Sequence, residues 1–275
     1  MRIDAHHHFW RFNAKEYCWI TDAMGVLRRD FLPEHLSAEI RAAGVDGVVS
    51  VQARQNASET PWLLELAGQN DFIRGVVGWV PLVNRNVAEE LAALAANGKL
   101  KAIRHVLQSE PDDEYMLRAD FNAGIDALRQ FGLAYDILIF ERHLAATLKF
   151  VDRHPDQVFV VDHVAKPRIR DGLVEPWKGL MCELARRENV YCKLSGMVTE
   201  ADWKAWTPQQ LRPYAETVLE AFGARRVMFG SDWPVCLVAT SYRQWIQTVE
   251  GFIAGLSPSE QDRIWSGTAI EAYGL

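Results

Sequence analysis

The amino-acid sequence predicts an α/β protein of the (β/α)8 TIM-barrel type, with residues 1–275 forming a single domain. Eight short apolar or β-branched runs recur along the chain, and segments with helical patterning and helix end signals separate them. The length of 275 residues suits one such barrel, since the fold typically needs about 250. A strand followed by a helix, repeated eight times, is the pattern of a parallel sheet closed into a barrel.

The candidate strands are residues 2–9, 45–52, 73–80, 100–107, 133–140, 158–164, 190–196 and 227–232. Several of them are apolar almost without interruption, as expected of parallel strands that are covered on both faces. An open, doubly wound sheet is the alternative architecture. The sequence lacks a Gly-x-Gly-x-x-Gly motif after an early strand, which would mark the dinucleotide crevice of such a sheet.

Three of the intervening segments carry explicit helix signals. Residues 33–44 place their apolar side chains on one face of a helix. Asn86 and Glu89 match a capping box at the start of another helix. Ser257 followed by Pro258 provides both a cap and a first-turn proline for a last helix.

Composition and charge exclude several functional classes. The formal net charge is −6 and no run of Lys and Arg occurs, so neither nucleic acid nor an anionic membrane is expected as a partner. No stretch approaches the roughly eighteen apolar residues of a membrane span, and no secretory leader precedes the first strand, which predicts a cytoplasmic protein. The four cysteines form no Cys-x-x-Cys pair and are expected to be reduced. No pattern indicates an oligomeric state.

His6 and His8 in the first strand are the most informative residues of the chain. Alternate residues of a strand emerge on the same face, roughly 6.6 Å apart, so both imidazoles can converge on one ion or one substrate oxygen. His7 is expected to point the other way. A purely structural histidine cluster is the alternative interpretation, and a residual affinity tag is disfavoured because the three histidines lie inside a strand-like run.

Polar side chains also end five other predicted strands. These residues are Gln52, Arg54, Arg104, His105, Asp162, His163, Lys166, Lys193, Ser195 and Asp232. Ionisable groups are costly to bury, so their concentration at strand ends predicts one wet functional cavity at the carboxyl end of the barrel. Closure of the barrel would place Asp232, at the end of strand eight, beside the histidines of strand one.

These positions suggest individual roles. Asp232, His163 and Arg104 are the candidate catalytic residues, and His163 can add a third imidazole to His6 and His8. Arg104 and its neighbour His105 cannot both face the interior of a regular strand, and we expect Arg104 to do so. Capping, packing or a salt bridge at the rim is the structural alternative for each of these groups.

The candidate substrate-binding residues are Arg54, His105, Lys166, Trp10 and Trp233. The cations could stabilise an oxyanion, and the two indoles could offer flat faces to a ring of the ligand. Ordinary packing is the alternative for both tryptophans, because the chain contains ten.

Taken together, the motifs resemble the amidohydrolase superfamily over essentially the whole chain, and more narrowly its sugar-lactonase branch, which includes L-fuconolactone and L-rhamnonolactone hydrolases. The motifs are DAHHHFW at 4–10, LKAIRH at 100–105, VDHVAKP at 161–167, KLSG at 193–196 and GSDWP at 230–234. The resemblance implies a distorted barrel whose first strand bears His-x-His and whose eighth strand ends in the catalytic Asp.

The sequence departs from the binuclear members of that superfamily. Strand four offers Arg104 and His105 where those members have a bridging Lys or Glu, and strand five contains no histidine. The resemblance therefore implies a mononuclear site of His6, His8, His163 and Asp232, holding one zinc or another divalent metal that is not essential in every relative.

The predicted activity is hydrolysis of the ester ring of an aldonolactone similar to L-fuconolactone, with Asp232 as the general base. A first alternative is a hydrolase or decarboxylase that acts on an acidic non-sugar substrate, such as a pyrone or a muconolactone. Such substrates favour bidentate arginine clamps, for which Arg54 and Arg104 are the candidates. A second alternative is a non-catalytic barrel that binds a metal or a small ligand.

Overall fold

The computed structural model describes residues 1–275 and confirms the (β/α)8 barrel. Eight parallel strands form one sheet in sequential order, and each predicted run contains one of them. The strands are β1 (Ile3–His7), β2 (Gly47–Val51), β3 (Ile73–Gly78), β4 (Leu100–His105), β5 (Ala134–Ile137), β6 (Phe159–Val161), β7 (Val190–Leu194) and β8 (Val227–Phe229).

The barrel closes where the chain leaving β8 meets β1. The amide of Asp232 donates to the carbonyl of His6 at 2.8 Å, and the amide of His8 donates to the carbonyl of Trp233 at 2.7 Å. The buried carboxylate of Asp4 adds a side-chain link, accepting hydrogen bonds from the amide (2.8 Å) and hydroxyl (2.5 Å) of Ser231. Closure thus brings Asp232 beside the first-strand histidines, as the sequence predicts.

The helices that cover the barrel are α1 (Pro33–Ala43), α2 (Glu59–Gln69), α3 (Val87–Ala95), α4 (Ala119–Arg129), α5 (Leu144–Asp152), α6 (Trp177–Leu184), α7 (Pro208–Phe222), α8 (Tyr242–Ile253), α9 (Pro258–Asp262) and α10 (Thr268–Tyr273). Ser257 caps α9 as predicted, with its hydroxyl accepting from the amide of Glu260. The capping box predicted at Asn86 is wrong, because α3 begins there without any side-chain cap. None of these helices combines the length and the apolar character needed to cross a membrane.

The amino end of the barrel is closed by an apolar floor. Small and branched side chains from the strands, including Ile3, Ala5 and Val49, pack there against Ala269 and Tyr273 of α10. A much larger apolar cluster lies between the outside of the sheet and the helices. The buried charged side chains of the strands, which include Arg104, Asp136 and Lys193, lie between this floor and the carboxyl ends of the strands.

A β-bulge in β1 directs His6 into the barrel. Asp4 pairs with Val48 and His7 pairs with Ser50, so β1 contains one residue more than β2 between these pairs. Ala5 and His6 therefore both face the interior, whereas His7 faces outward and its Nε2 lies 2.8 Å from the Ser50 hydroxyl. The predicted outcome, with His6 and His8 inside and His7 outside, is confirmed.

Candidate active site

Three imidazoles surround the carboxylate of Asp232 at the carboxyl end of the barrel. Asp232 Oδ1 lies 3.5 Å from His8 Nε2, 3.8 Å from His6 Nε2 and 3.9 Å from His163 Nε2. His6 Nε2 and His8 Nε2 are 3.2 Å apart. All four side chains are at most 5 % exposed. The four predicted metal ligands therefore gather around one point.

The other nitrogen of each imidazole is held by the scaffold. His8 Nδ1 lies 2.8 Å from the Val51 carbonyl, which fixes the proton on Nδ1 and leaves Nε2 with a free lone pair. His163 Nδ1 lies 2.9 Å from the Ser195 hydroxyl. His6 Nδ1 lies 3.2 Å from both Asp162 Oδ1 and Lys193 Nζ.

The donor set fits a divalent metal ion. Burial lowers the pKa of His6 well below its usual value and that of His163 to about 4, so both rings are neutral near pH 7. Neutral imidazoles and one carboxylate are the ligands that zinc prefers, and their outer nitrogens are oriented as in known zinc sites. The Nε2 atoms of His6 and His8 lie 3.2 Å apart, which places two potential ligand nitrogens side by side. His6, His8 and Asp232 lie close enough together to hold one metal ion, and His163 Nε2 lies 3.9 Å from the same carboxylate oxygen of Asp232.

Asp232 is ionised near neutral pH. Burial alone would raise its pKa, but His163, His8 and Lys166 outweigh this effect and lower the pKa below its usual value. The residue has a positive φ of 57°, which for a non-glycine residue costs about 1–2 kcal/mol. Strain of this kind is typical of functional positions, where the surrounding structure imposes the backbone conformation.

A left-handed turn after β6 positions His163 and Lys166. Residues 163–166 all have φ between 47° and 59°, a conformation that non-glycine residues rarely adopt. Gly196, itself at φ 61°, makes room for the turn, since a Cβ atom there would lie 2.4 Å from His163 Nδ1. Gly230 likewise makes room for His6 of β1, because a Cβ atom at position 230 would lie 2.8 Å from His6 Cβ.

Beneath the histidines lies a buried charge network, which consists of Arg104, Asp136, Asp162, Lys193 and Tyr273. Asp162 accepts from Arg104 at 2.8 Å and lies 2.9 Å from Lys193 Nζ. Lys193 also donates to Asp136 at 2.5 Å, and the Tyr273 hydroxyl lies 2.9 Å from both oxygens of Asp136. The network links helix α10 at the floor to His6 at the centre.

Arg104 faces the barrel interior, as predicted, but its guanidinium is already engaged. It donates to Asp162 and to the backbone and side-chain oxygens of Gln52, and it is 3 % exposed. The geometry therefore favours a positioning role, through Asp162 and His6, over the direct catalytic role predicted from the sequence.

Two predicted substrate-binding residues, His105 and Arg54, contact carboxylates of the protein itself. His105 faces the helices, where its Nε2 contacts Glu110 at 2.6 Å and its ring stacks on Tyr115. Arg54 pairs with Glu16 and contacts Glu59 at 3.9 Å. The substrate-binding prediction is wrong for His105, since alternate strand residues face opposite ways and Arg104 takes the inner position.

The predicted indole platform is also wrong. Trp10 is fully buried, with Phe31 and Trp19 packed against it, and its Nε1 donates to the Arg29 carbonyl. Trp233 is 2 % exposed and packs edge-on against Phe31. Both rings hold the loop of residues 9–32 on the rim and offer no face to a ligand.

Lys166 lies near Asp232, whose pKa it lowers, and a residue that the sequence did not single out lies beside it. Glu200, in the short 3-10 turn Val198–Glu200 after β7, has its Oε1 3.8 Å from Lys166 Nζ. Asp136 and Tyr273 were likewise not identified as site residues. A lone Asp inside the apolar run of β5 is a signal that could have identified Asp136, whereas nothing in the local sequence marks Glu200 or Tyr273.

A parallel barrel that gathers three histidines and an aspartate at its carboxyl end defines a scaffold for metal-assisted hydrolysis. Comparison with known proteins agrees with this class: residues 3–275 match the amidohydrolase family. The chain belongs to that family.

Three individual proteins are similar to this chain, one compared by sequence and two by structure. An L-fucono-1,5-lactonase of Burkholderia multivorans (strain ATCC 17616 / 249) is 41% identical over 286 residues, which covers 100% of this chain and 96% of the relative. A crystal structure of an amidohydrolase from Burkholderia multivorans with bound zinc has a TM-score of 0.97 at 41% identity, and covers 100% of this chain and 99% of the other. A probable 2-pyrone-4,6-dicarboxylic acid hydrolase from Acinetobacter baumannii, at 15% identity and a TM-score of 0.79, shares the fold.

Proposed function

We propose that the protein hydrolyses the ester ring of a sugar lactone, and that L-fucono-1,5-lactone is the substrate to test first. The observation that carries the proposal is the ionised Asp232 facing three buried Nε2 atoms at the carboxyl end of the barrel. The similarity to an L-fucono-1,5-lactonase along the full chain supports the choice of substrate.

Asp232 acts as the general base. It takes a proton from a water molecule while the water oxygen bonds to the lactone carbonyl carbon and the carbonyl oxygen gains negative charge. As the tetrahedral intermediate collapses, the bond from that carbon to the ring oxygen breaks. The ring oxygen then receives the proton from Asp232, which leaves the open-chain acid and the original carboxylate.

The remaining residues position these groups. Zinc held by His6, His8, His163 and Asp232 would supply a Lewis acid and lower the pKa of water to about 7. The buried charge network fixes His6 through contacts with Asp162 and Lys193. Lys166, with a side chain 15% exposed, lies near enough to Asp232 to lower its pKa and is available to a developing oxyanion.

The acidic-substrate alternative loses its main support in this geometry. Recognition of a dicarboxylate favours free guanidinium groups in the cavity. Arg54 and Arg104, the two candidates, are each paired with carboxylates of the protein itself.

The test is a pH-indicator assay with a panel of aldonolactones, because ring opening yields an acid. Spontaneous opening is subtracted, and each reaction is run with and without chelator. Asp232→Asn keeps the shape of the side chain but removes the base, so turnover should fall by about 10²–10⁴-fold. Asp22→Asn, at a carboxylate 97% exposed on the surface, is the matched control and should retain full activity. A near-normal rate in Asp232→Asn would refute the mechanism, and a wild-type protein inactive on every lactone would refute the function.

A further inference from the structure

Lys166 and Glu200 are charged side chains at the carboxyl end of the barrel, which we call the mouth, and the mechanism above gives a role only to Lys166. Lys166 ends the left-handed turn after β6, and Glu200 ends the 3-10 turn after β7. The turn of Glu200 packs against the turn Val235–Val238, which follows Asp232. Both side chains therefore lie near the general base, since Lys166 lowers the pKa of Asp232 and Asp232 contributes to raising that of Glu200.

The Lys166–Glu200 pair is more widely separated than the ion pairs of the buried charge network. Its Nζ to Oε1 separation is 3.8 Å, which is longer than a hydrogen bond, whereas the buried charge network has separations of 2.5–2.9 Å. The side chains are 15% and 22% exposed, so a ligand can reach them. An ammonium has three donors and a carboxylate only acceptors, and this loose contact uses few of them.

Next to Glu200, the two carboxylates at the mouth disfavour an anionic ligand. Glu200 and Asp232 are carboxylates at one mouth, and burial, with a further contribution from Asp232, raises the pKa of Glu200 above its usual value. A third carboxylate, on a substrate, would meet both of them. A neutral ring with adjacent hydroxyls can instead donate to Glu200 and accept from Lys166.

We infer that Glu200 and Lys166 form the specificity site of the enzyme, which binds ring hydroxyls of the lactone and excludes lactones that carry a carboxylate. The inference rests on the proposed function and specifies its substrate class. Glu200 accepts from one hydroxyl, Lys166 donates to its neighbour, and the ester carbonyl lies towards Asp232.

The experiment compares Glu200→Gln with the wild type on three six-membered lactones. These are L-fucono-1,5-lactone, δ-valerolactone, which has the ester ring without hydroxyls, and a δ-lactone that carries a carboxylate. The substitution should lower kcat/KM for the sugar lactone by about 10–100-fold, the effect of one charge-assisted hydrogen bond. It should change kcat/KM for δ-valerolactone by less than about threefold and raise it for the carboxylated lactone. Glu220→Gln, on the exposed surface of α7, is the matched control and should change none of the three.

The outcomes separate the two proposals. An equal loss on the sugar lactone and δ-valerolactone would overturn the inference, because Glu200 would then serve the chemistry or the scaffold. Unchanged kcat/KM on all three lactones would overturn it as well. Thermal unfolding of Glu200→Gln excludes a folding defect, and Glu200→Asp, which keeps the charge, should still exclude the carboxylated lactone. If the wild type opens no lactone, the proposed function fails instead.

Discussion

The barrel interior contains two layers of charged residues that are built in opposite ways. In the buried charge network, opposite charges meet at 2.5–2.9 Å and no side chain is more than 4% exposed. At the mouth, contacts around Asp232 and between Lys166 and Glu200 are 3.5–3.9 Å, and the mouth pair is partly open to solvent. Tight pairing fixes the lower layer as scaffold, whereas loose pairing leaves the upper layer free to bind water and substrate.

Two buried carboxylates show the same contrast in their ionisation. Burial alone would raise the pKa of Asp162. Lys193, His6 and Arg104 lie against it, however, and lower the pKa well below its usual value. Glu59, in the first turn of α2, contacts its cation Arg54 only at 3.9 Å, and burial raises its pKa to about 7. Close cations therefore lower the pKa of Asp162, whereas burial with a more distant cation raises that of Glu59.

The largest predicted effect is loss of the lower layer. Lys193→Met removes the ammonium that Asp136 and Asp162 share, and leaves two carboxylates that are 0% exposed without their main counter-charge. Breaking a buried ion pair in this way should lower the free energy of unfolding by about 3–5 kcal/mol. Chemical denaturation at pH 7 measures the change.

Lys166→Met is the matched control at the mouth. The same substitution removes a partly exposed charge from a 3.8 Å contact, so it should change the free energy of unfolding by less than about 1 kcal/mol. It should nevertheless reduce lactone turnover. Equal destabilisation by the two substitutions would contradict the division into a scaffold layer and a working layer.

The raised pKa of Glu59 predicts that the stability of the protein falls as the pH rises towards neutrality. Its folded-state pKa of about 7 lies above the ordinary value of 4.5, so the folded protein retains a proton that the unfolded chain has already released. Stability should therefore fall by about 3 kcal/mol as the pH rises from about 4.5 to about 7, and then stay level. Denaturation midpoints of wild type and Glu59→Gln between pH 5 and pH 8 isolate this group. Parallel curves would show that Glu59 does not titrate in this range.

The sequence was sufficient to predict those site residues whose location depends only on their position along a barrel strand. His6, His8, His163 and Asp232 converge because a parallel barrel collects the carboxyl ends of its strands at one face. The bulge at Ala5 and His6 was not predicted, because ordinary alternation already places His6 and His8 together.

The sequence was insufficient to predict the positions of residues that depend on contacts between segments distant in the chain. Trp10 follows a strand, as a sugar platform would, but the packing partners supplied by its own loop bury it. Lys166 and Glu200 meet because the turns after β6 and β7 have particular conformations, and no periodicity in either turn encodes them. Helix α10 reaches Asp136 only through the closed barrel, so Tyr273 has no local signal.

The smallest predicted effect tests how the scaffold positions the working layer. Gly196 and Gly132 both have a positive φ, of 61° and 64°, so replacement by Ala costs each about 1–2 kcal/mol of backbone strain. They differ in surroundings: a Cβ at 196 would lie 2.4 Å from His163 Nδ1, whereas nothing lies within 4 Å at 132. Gly196→Ala should therefore also displace His163 and lower kcat/KM by about 10²-fold, as misplacement near 1 Å does elsewhere. Gly132→Ala should lose stability alone, and an equal effect of the two substitutions on kcat/KM would show that the position of His163 does not limit the reaction.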